Sequence, residues 1–293
     1  MSETRAWFGA VASGTTILEV GASYNPWFPK ALWPRARNLD HATAAELRAK
    51  YADQPGVDVD RIEEVDFVWR AGALGDCIPS EHHGTFDIIA ASHVLEHIPD
   101  AIAFLRALER LASPHGRVFL ILPDRRFCFD CFRACSTLGE LIEAHHAARE
   151  RHGAATLVDQ KALTVTMNGR GAWGQERWGA MAFAHDPEEL FEFLRPPPAE
   201  GPYRDAHAWR FTPASFRLLM LELAWLGLTD WRILRIGETR GCEFPVELAR
   251  GGRAEMRGFA KADLQRLRLS LLKARLREEE ALIRWALGGL SGG

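Results

Sequence analysis

The 293-residue sequence has no apolar run near the roughly 20 residues needed to cross a bilayer, so no membrane span is expected. Its first residues, Met1-Ser2-Glu3-Thr4-Arg5, lack a basic start leading into a long apolar core. No signal peptide is therefore expected, and a cytoplasmic location is the default. An excess of one charge is also lacking: 36 lysines and arginines face 39 acidic residues, for a net charge of −3. That argues against a nucleic-acid binder relying on a broad basic surface, and no nucleic-acid partner is expected. Cysteines number five, an odd count that fits a reducing compartment better than a disulfide framework. No internal repeat with a period of roughly 20–50 residues is evident, which removes solenoids and arrays. The length suits one large domain, or one domain carrying a substantial insertion.

What is present is organised around Thr16-Ile17-Leu18-Glu19-Val20-Gly21-Ala22-Ser23-Tyr24-Asn25-Pro26. Ile17 to Val20 reads as a short buried strand, because an apolar run passes at once into turn residues. Gly21 permits a sharp turn and a close ligand approach, and Asn25 visits left-handed conformations cheaply. A strand emptying into a tight turn at its carboxyl end is where open α/β sheets bind nucleotides. The next acidic strand end, Asp40, follows at about the 20-residue spacing at which a carboxylate meets ribose hydroxyls. The turn lacks G-x-G-x-x-G, which disfavours an NAD-dependent oxidoreductase.

Glu19-Val20-Gly21-Ala22-Ser23, Asp40, and Phe86-Asp87-Ile88-Ile89-Ala90-Ala91-Ser92-His93-Val94-Leu95-Glu96-His97-Ile98-Pro99-Asp100 resemble the successive motifs of class I S-adenosylmethionine-dependent methyltransferases. The likeness covers residues 14–125 and, more loosely, 205–250. Leu122 to Asp130 and His207 to Pro213 narrow it to bacterial methyltransferase domains that accompany glycosyltransferases in surface-polysaccharide clusters. The resemblance implies an S-adenosylmethionine site at Glu19, Gly21, Ala22, Ser23, Asp40, His41, Ser92 and His93. It also places Asp66 and Phe67 on the adenine, although Asp66 reads equally as a solvent-facing loop acid. The family's second and third glycines are replaced here by Ser23 and Asn25. Pro29 and Pro34 would interrupt the helix that normally follows, so any first helix is short.

The expected fold is α/β: a mostly parallel, Rossmann-like methyltransferase sheet closed by an antiparallel hairpin, with an inserted helical or irregular cap and a C-terminal helix. Strands are expected at 17–20, before Asp40, at 62–69, at 86–91 and at 118–122, with helices at 42–51 and 101–111 between them. Pro114-His115-Gly116 reads as a turn. This βαβ alternation argues for parallel pairing with right-handed crossovers. It stops from Cys128 to about Arg204, a tract long and irregular enough to carry function as a substrate cap. Within it, 136–152 is helical by composition, and Pro196-Pro197-Pro198 marks a break. Thr212 caps a helix to Gly227, and 231–236 with 242–248 form the closing hairpin. The expected division is residues 1–127 with 205–258 for the cofactor domain, 128–204 for the cap, and 259–293 for a charged helix. Leu269, Leu272, Leu276, Ile283 and Ala286 follow heptad-like spacing interrupted by Glu279, leaving a homodimer contact or packing on the helix's own domain both open.

Methyl transfer needs an acceptor held in line and a destination for its proton, so the candidate bases matter most. His93, just past the fourth strand, reads as a general base or cofactor wall, or as a ring that only bonds nearby backbone. His207 is the second catalytic candidate; Glu96 and His97 read as structural. Arg125, Arg126, Asp130 and Arg133 either grip an anionic acceptor group or form an ion-paired loop. His145 and Arg210 are further substrate candidates, and Trp173, Trp178 and Trp209 either stack on sugar rings or lie in the core. Cys128, Cys131 and Cys135, among Phe127, Phe129 and Phe132, read as buried free thiols, and no metal is expected. The expected reaction is methyl transfer to oxygen or nitrogen of a small-molecule or glycan-linked acceptor. The alternative is a non-catalytic S-adenosylmethionine-binding scaffold that partners a glycosyltransferase.

Overall fold

A computed structural model describes residues 3–70, 72–174, 179–193 and 201–288, the side chains of 285–288 excepted. Ten strands are present among the described residues: β1 (Ile17–Val20), β2 (Ala36–Asp40), β3 (Phe67–Val68), β4 (Phe86–Ser92), β5 (Ala112–Pro123), β6 (Val165–Met167), β7 (Arg170–Gly171), β8 (Met181–Phe183), β9 (Trp231–Ile236) and β10 (Glu243–Arg250). Seven of them form one sheet in the order β3-β2-β1-β4-β5-β10-β9. The pairs from β3 through β5 are parallel, and β10 runs antiparallel to both neighbours, which is the expected closing hairpin. The strand order reverses at β1, which lies between β2 and β4. The crevice outside the carboxyl ends of β1 and β4 is therefore the ligand position for such a sheet.

The helices are α1 (Glu3–Ala6), α2 (Ala44–Tyr51), α3 (Ala101–Leu111), α4 (Leu138–His146), α5 (Ala154–Leu163), α6 (Pro213–Trp225), α7 (Gly252–Gly258) and α8 (Lys261–Gly288). Local chemistry sets their starts. Thr43 and Glu46 close a reciprocal capping box on α2, and Thr212 with Pro213 opens α6. The carboxylate of Asp100 accepts from the Ala103 amide at 2.9 Å and starts α3. The run from Ala112 to Pro123 counts as one strand, but its pairing with β4 jumps from Phe86↔Ala112 to Ile88↔Arg117. The expected turn at Pro114-His115-Gly116 is this bulge.

Strand alternation sends two side-chain sets to opposite faces. Leu18, Val20, Ile89, Ala91, Leu120 and Leu122 pack with α3 and α6. Ile17, Ala36, Ile88, Ala90, Phe119 and Ile121 pack instead with Phe8, Trp27 and Phe28. No helix follows β1 before β2, which goes beyond the expected shortening. Trp27 stacks on Phe28 at 5.2 Å and Phe8 on Phe119 at 4.5 Å, so aromatic rings cover the sheet there. Each such ring buries on the order of 150–250 Å², roughly 4–6 kcal/mol at about 25 cal/mol per Å². That is enough for an irregular loop to replace a helix.

Residues 128–204 hold α4, α5 and a three-stranded sheet in the order β7-β6-β8, which periodicity did not reveal in strands of two or three residues. The Pro196–Pro198 break and Trp178 lie outside the described residues. The C-terminal helix α8 packs on its own chain. Arg268 donates to Glu222 of α6 at 2.6 Å, and Glu278 accepts from the Ala214 amide at 3.2 Å. Leu269, Leu276 and Ile283 face outward from this contact.

Candidate active site

The turn after β1 is built by its backbone. Gly21 has φ +74°, and a Cβ there would lie 2.7 Å from Val94 Cγ2, so only glycine fits. Ser23 is also left-handed, at φ 47°. Its amide donates to Asp40 Oδ2 at 3.0 Å, while its hydroxyl oxygen is buried without a partner. Ala22 is buried between them. Asp40 ends β2 and accepts the His41 amide at 2.8 Å, with His41 Nδ1 at 2.6 Å from the same oxygen. The turn thus joins the carboxyl ends of two neighbouring strands.

Glu19 shares the face of Ile17, so its carboxylate points away from the α3 side. It accepts from the Trp27 and Phe28 amides at 2.7 and 2.8 Å, anchoring the aromatic loop. Burial pushes its carboxyl up to about 7 against those two amides and the charge of Arg5. Glu19 therefore shapes the turn from behind; its oxygens are already engaged.

Asp66 and Phe67 require correction. The third strand is only Phe67–Val68, so Asp66 precedes it and stands beside the middle of β2. Its carboxylate accepts the Asn38 amide at 2.7 Å and pairs with Lys30 at 2.7 Å. Phe67 lies in the core beside His82. The residue that follows β3 at the carboxyl edge is Trp69, whose amide donates to the Asp40 carbonyl at 2.8 Å. A strand only two residues long hides its own end from sequence periodicity.

At the end of β4, beyond Ser92, His93 takes a left-handed φ of 54°. Its Nε2 lies 2.7 Å from Glu243 Oε2, and its Nδ1 lies 3.3 Å from Glu96 Oε1 without making a hydrogen bond. Burial works against the charged ring, but the Glu243 bond and the Glu96 charge win and raise it to about 9. Two flanking carboxylates favour the charged ring, which argues against the general-base role and for a place in the wall of the site. It remains at the edge as a fixed cation between two carboxylates.

After residue 204 the chain runs alongside Glu96: the Ala208 and Trp209 amides donate to the Glu96 carbonyl at 2.7 and 3.1 Å. This brings His207 next to His97, ring centroids 4.7 Å apart and edge to face. His207 Nδ1 bonds Asp130, whose other oxygen accepts from Arg133 at 2.7 Å. Asp130 and Arg133 are thus buried positioning groups behind His207. An aromatic wall continues from this cluster to the sheet edge. Phe129 lies 4.7 Å from His207 and 5.8 Å from Trp173, and Trp173 lies 5.4 Å from His93.

The other substrate candidates are structural. Arg125 is buried and donates to Cys135, to the Cys131 carbonyl at 2.7 Å and to Glu279. Arg126 is held by both oxygens of its neighbour Asp124. His145 ties α4 to Asp100 at 2.9 Å. Trp209 is a core ring donating to the Ile98 carbonyl, and Arg210 spans the Ala134 and Ala208 carbonyls and Glu140. Cys128, Cys131 and Cys135 are buried free thiols. Phe129 was read only as packing around the cysteines, and Asp205 was missed because it lies in no recognisable motif.

A sheet whose order reverses beside a glycine turn, with charged and aromatic groups gathered at that reversal, defines an α/β enzyme of the nucleotide-cofactor class. A family model described as a methyltransferase domain matches residues 4–172, more than half of the 293, and the chain belongs to that family. Its cofactor is S-adenosylmethionine. Ubiquinone biosynthesis O-methyltransferase of Xylella fastidiosa is 31% identical over 120 residues, 39% of this chain and 44% of that protein. The protein of the same name from Xanthomonas oryzae pv. oryzae is 42% identical over 48 residues, 16% of this chain and 20% of its own. The chain thus spans less than half the length of these curated relatives. Among solved structures, a SAM-dependent methyltransferase from Aquifex aeolicus is 14% identical at TM-score 0.40, covering 83% of this chain and 85% of that one. A methyltransferase from Mesorhizobium loti is 13% identical at TM-score 0.40, covering 85% and 99%. The residues fit the cofactor: Gly21 leaves a cradle that a Cβ would fill, and the orphaned Ser23 hydroxyl lies at the same turn.

Proposed function

We propose that this protein transfers a methyl group to a hydroxyl oxygen of a small, ring-shaped acceptor. The observation that carries the reading is the meeting of the Gly21–Ser23 turn and Asp40 with His93 and its aromatic neighbour Trp173 at the reversal of strand order. Gly21, Ser23 and Asp40 hold the cofactor, and Trp69 stands beside Asp40 as a flat neighbour for its base. The cofactor supplies an electrophilic methyl on a sulfonium. Trp173 and Phe129 offer apolar faces that orient a planar acceptor and exclude water, and orientation alone supplies roughly 7–11 kcal/mol in favourable cases. Oxygen is preferred over nitrogen because the matched relatives are named O-methyltransferases.

The glycan-linked acceptor is not favoured: of the residues expected to meet it, Arg125, Arg126, Trp209 and Arg210 are engaged in internal pairs, while Trp173 stays at the sheet edge. The scaffold reading keeps one specific support, the occupation of both Glu19 oxygens by the aromatic loop. Turnover separates the two. The full chain is incubated with methyl-labelled S-adenosylmethionine and panels of hydroxylated aromatics, aromatic amines and sugars. Label on the hydroxylated aromatics is expected. Label on amines or sugars alone would contradict the acceptor class, and none on any panel, with cofactor bound, would favour the scaffold.

A further inference from the structure

The carboxylate of Glu96 is a buried group that the reading above leaves unused. The side chain is 0% exposed, and both of its oxygens lack a hydrogen-bond partner. A carboxylate so buried is costly unless it is paired or coordinates a cation. Its ion-pair neighbour is the His93 ring, at 3.3 Å from one of the two oxygens, and that ring is shared with Glu243 at 2.7 Å.

Two histidines converge on it. His97 is its neighbour in the chain, and His207 is fixed beside it by the two amides that clamp the Glu96 carbonyl. Each ring is already oriented from behind by a carboxylate. His97 Nδ1 lies 2.9 Å from Asp205, and His207 Nδ1 bonds Asp130, itself held by Arg133. With Nδ1 facing a carboxylate, Nε2 is the ring nitrogen left for an ion, and binding displaces any proton held there. Carboxylate-backed imidazoles of this kind are the usual outer shell of metal-bound histidine. One ligand atom each from Glu96, His97 and His207 lies within 4.8 Å of the other two. Ligands about 2.0–2.2 Å from a common ion stand roughly 3.4 Å apart in a tetrahedron, so small side-chain rotations close the set.

We infer that Glu96, His97 and His207 bind a divalent transition-metal ion, zinc or a similar borderline cation, at the acceptor end of the site. Two nitrogens and one carboxylate suit such an ion better than magnesium or calcium, which take mostly oxygen. Three protein ligands leave a coordination position open, the pattern of a catalytic rather than a structural site. Of the three ligands, His207 lies beside Phe129, and Trp173 and then His93 follow along the same wall. The role of the ion rests on the methyl-transfer reading: it would bind the acceptor hydroxyl and lower its pKa. The hydroxyl proton passes to solvent, the oxygen lone pair forms the bond to the methyl carbon, and the carbon–sulfur pair returns to sulfur as S-adenosylhomocysteine leaves. His97 and Glu96 thereby gain a role beyond the structural one expected of them.

The test is titration of chelator-treated full-length protein with cobalt(II) chloride, read by visible d–d absorption and by calorimetry, with S-adenosylhomocysteine titrated in parallel. One equivalent of cobalt with bands of a four- or five-coordinate ion is expected. His97→Asn, on the more exposed ligand, is expected to weaken cobalt binding on the order of 100-fold or more. Asp205→Asn, behind it, is expected to cost about 10-fold. Glu96→Gln is a second ligand variant whose folding is checked by circular dichroism. Failure of the folded wild type to bind cobalt, or equal binding by His97→Asn, would overturn the metal site. Loss of S-adenosylhomocysteine binding alone would count against the methyl-transfer reading and leave the cobalt result to decide the metal.

Discussion

The two ends of the site are built in opposite ways. At the cofactor end, backbone geometry does most of the work: Gly21 and Ser23 in left-handed conformations, and Asp40 one strand over. At the end proposed for the acceptor, side chains from distant segments meet, with Glu96 and His97 after β4, Asp130 soon after β5, and Asp205 and His207 before α6. Local geometry is encoded in a short stretch, whereas a side-chain cluster depends on where the whole insertion folds back. The first kind of site is fragile to added atoms; the second is fragile to lost ligands and charges.

Substitutions can break this contrast. The largest effect is expected from Glu96→Gln, which removes the one carboxylate among the proposed ligands and should lower turnover by more than the roughly 10–100-fold typical of outer-shell changes, while leaving S-adenosylhomocysteine affinity within a few-fold of wild type. A parallel loss of cofactor affinity would show that the two ends are not separable. Next is Gly21→Val, whose side chain meets Val94 in a left-handed backbone. About 2–4 kcal/mol of strain is expected there, seen as weakened cofactor binding and a lowered midpoint in urea. Asp40→Ala should weaken cofactor binding by about 1.5–3 kcal/mol in calorimetry, the scale for hydrogen bonds to a charged group. Unchanged affinity in a folded variant would remove Asp40 from the site.

The smallest effect is a pH dependence. His93 is raised to about 9 by Glu243 and Glu96 against its burial. A group whose folded pKa lies above its unfolded value of about 6.5 contributes stability that is complete below that value. The contribution falls as pH rises through about 9, so thermal stability should decline between about pH 7 and 10. His93→Gln should flatten that decline, as followed by calorimetric melting across the range. A wild-type profile with no slope there would contradict the imidazolium.

The contrast also explains what the sequence made legible. The run Ile17 to Val20 passing into Gly21, and the Leu95-Glu96-His97-Ile98-Pro99 segment after β4, sit where the strand order reverses, because hydrophobic continuity and turn chemistry are local signals. Asp66 failed because β3 is two residues long and its end cannot be counted from periodicity. Arg125, Arg126 and Arg133 read either as anion grips or as an ion-paired loop from their residue type, and each found a carboxylate inside the fold, Glu279, Asp124 and Asp130 in turn. Burial of that sort is a tertiary outcome. Asp205 and the partnership of His97 with His207 have no sequence spacing at all, since they depend on the chain's return along Glu96.

Isothermal titration of the full chain with S-adenosylhomocysteine tests the central claim most directly. One-to-one binding in the micromolar range, weakened in Asp40→Ala and weakened further in Gly21→Val, is the predicted result. A folded wild-type protein that takes up no S-adenosylhomocysteine would contradict the account of the carboxyl edge as its cofactor site.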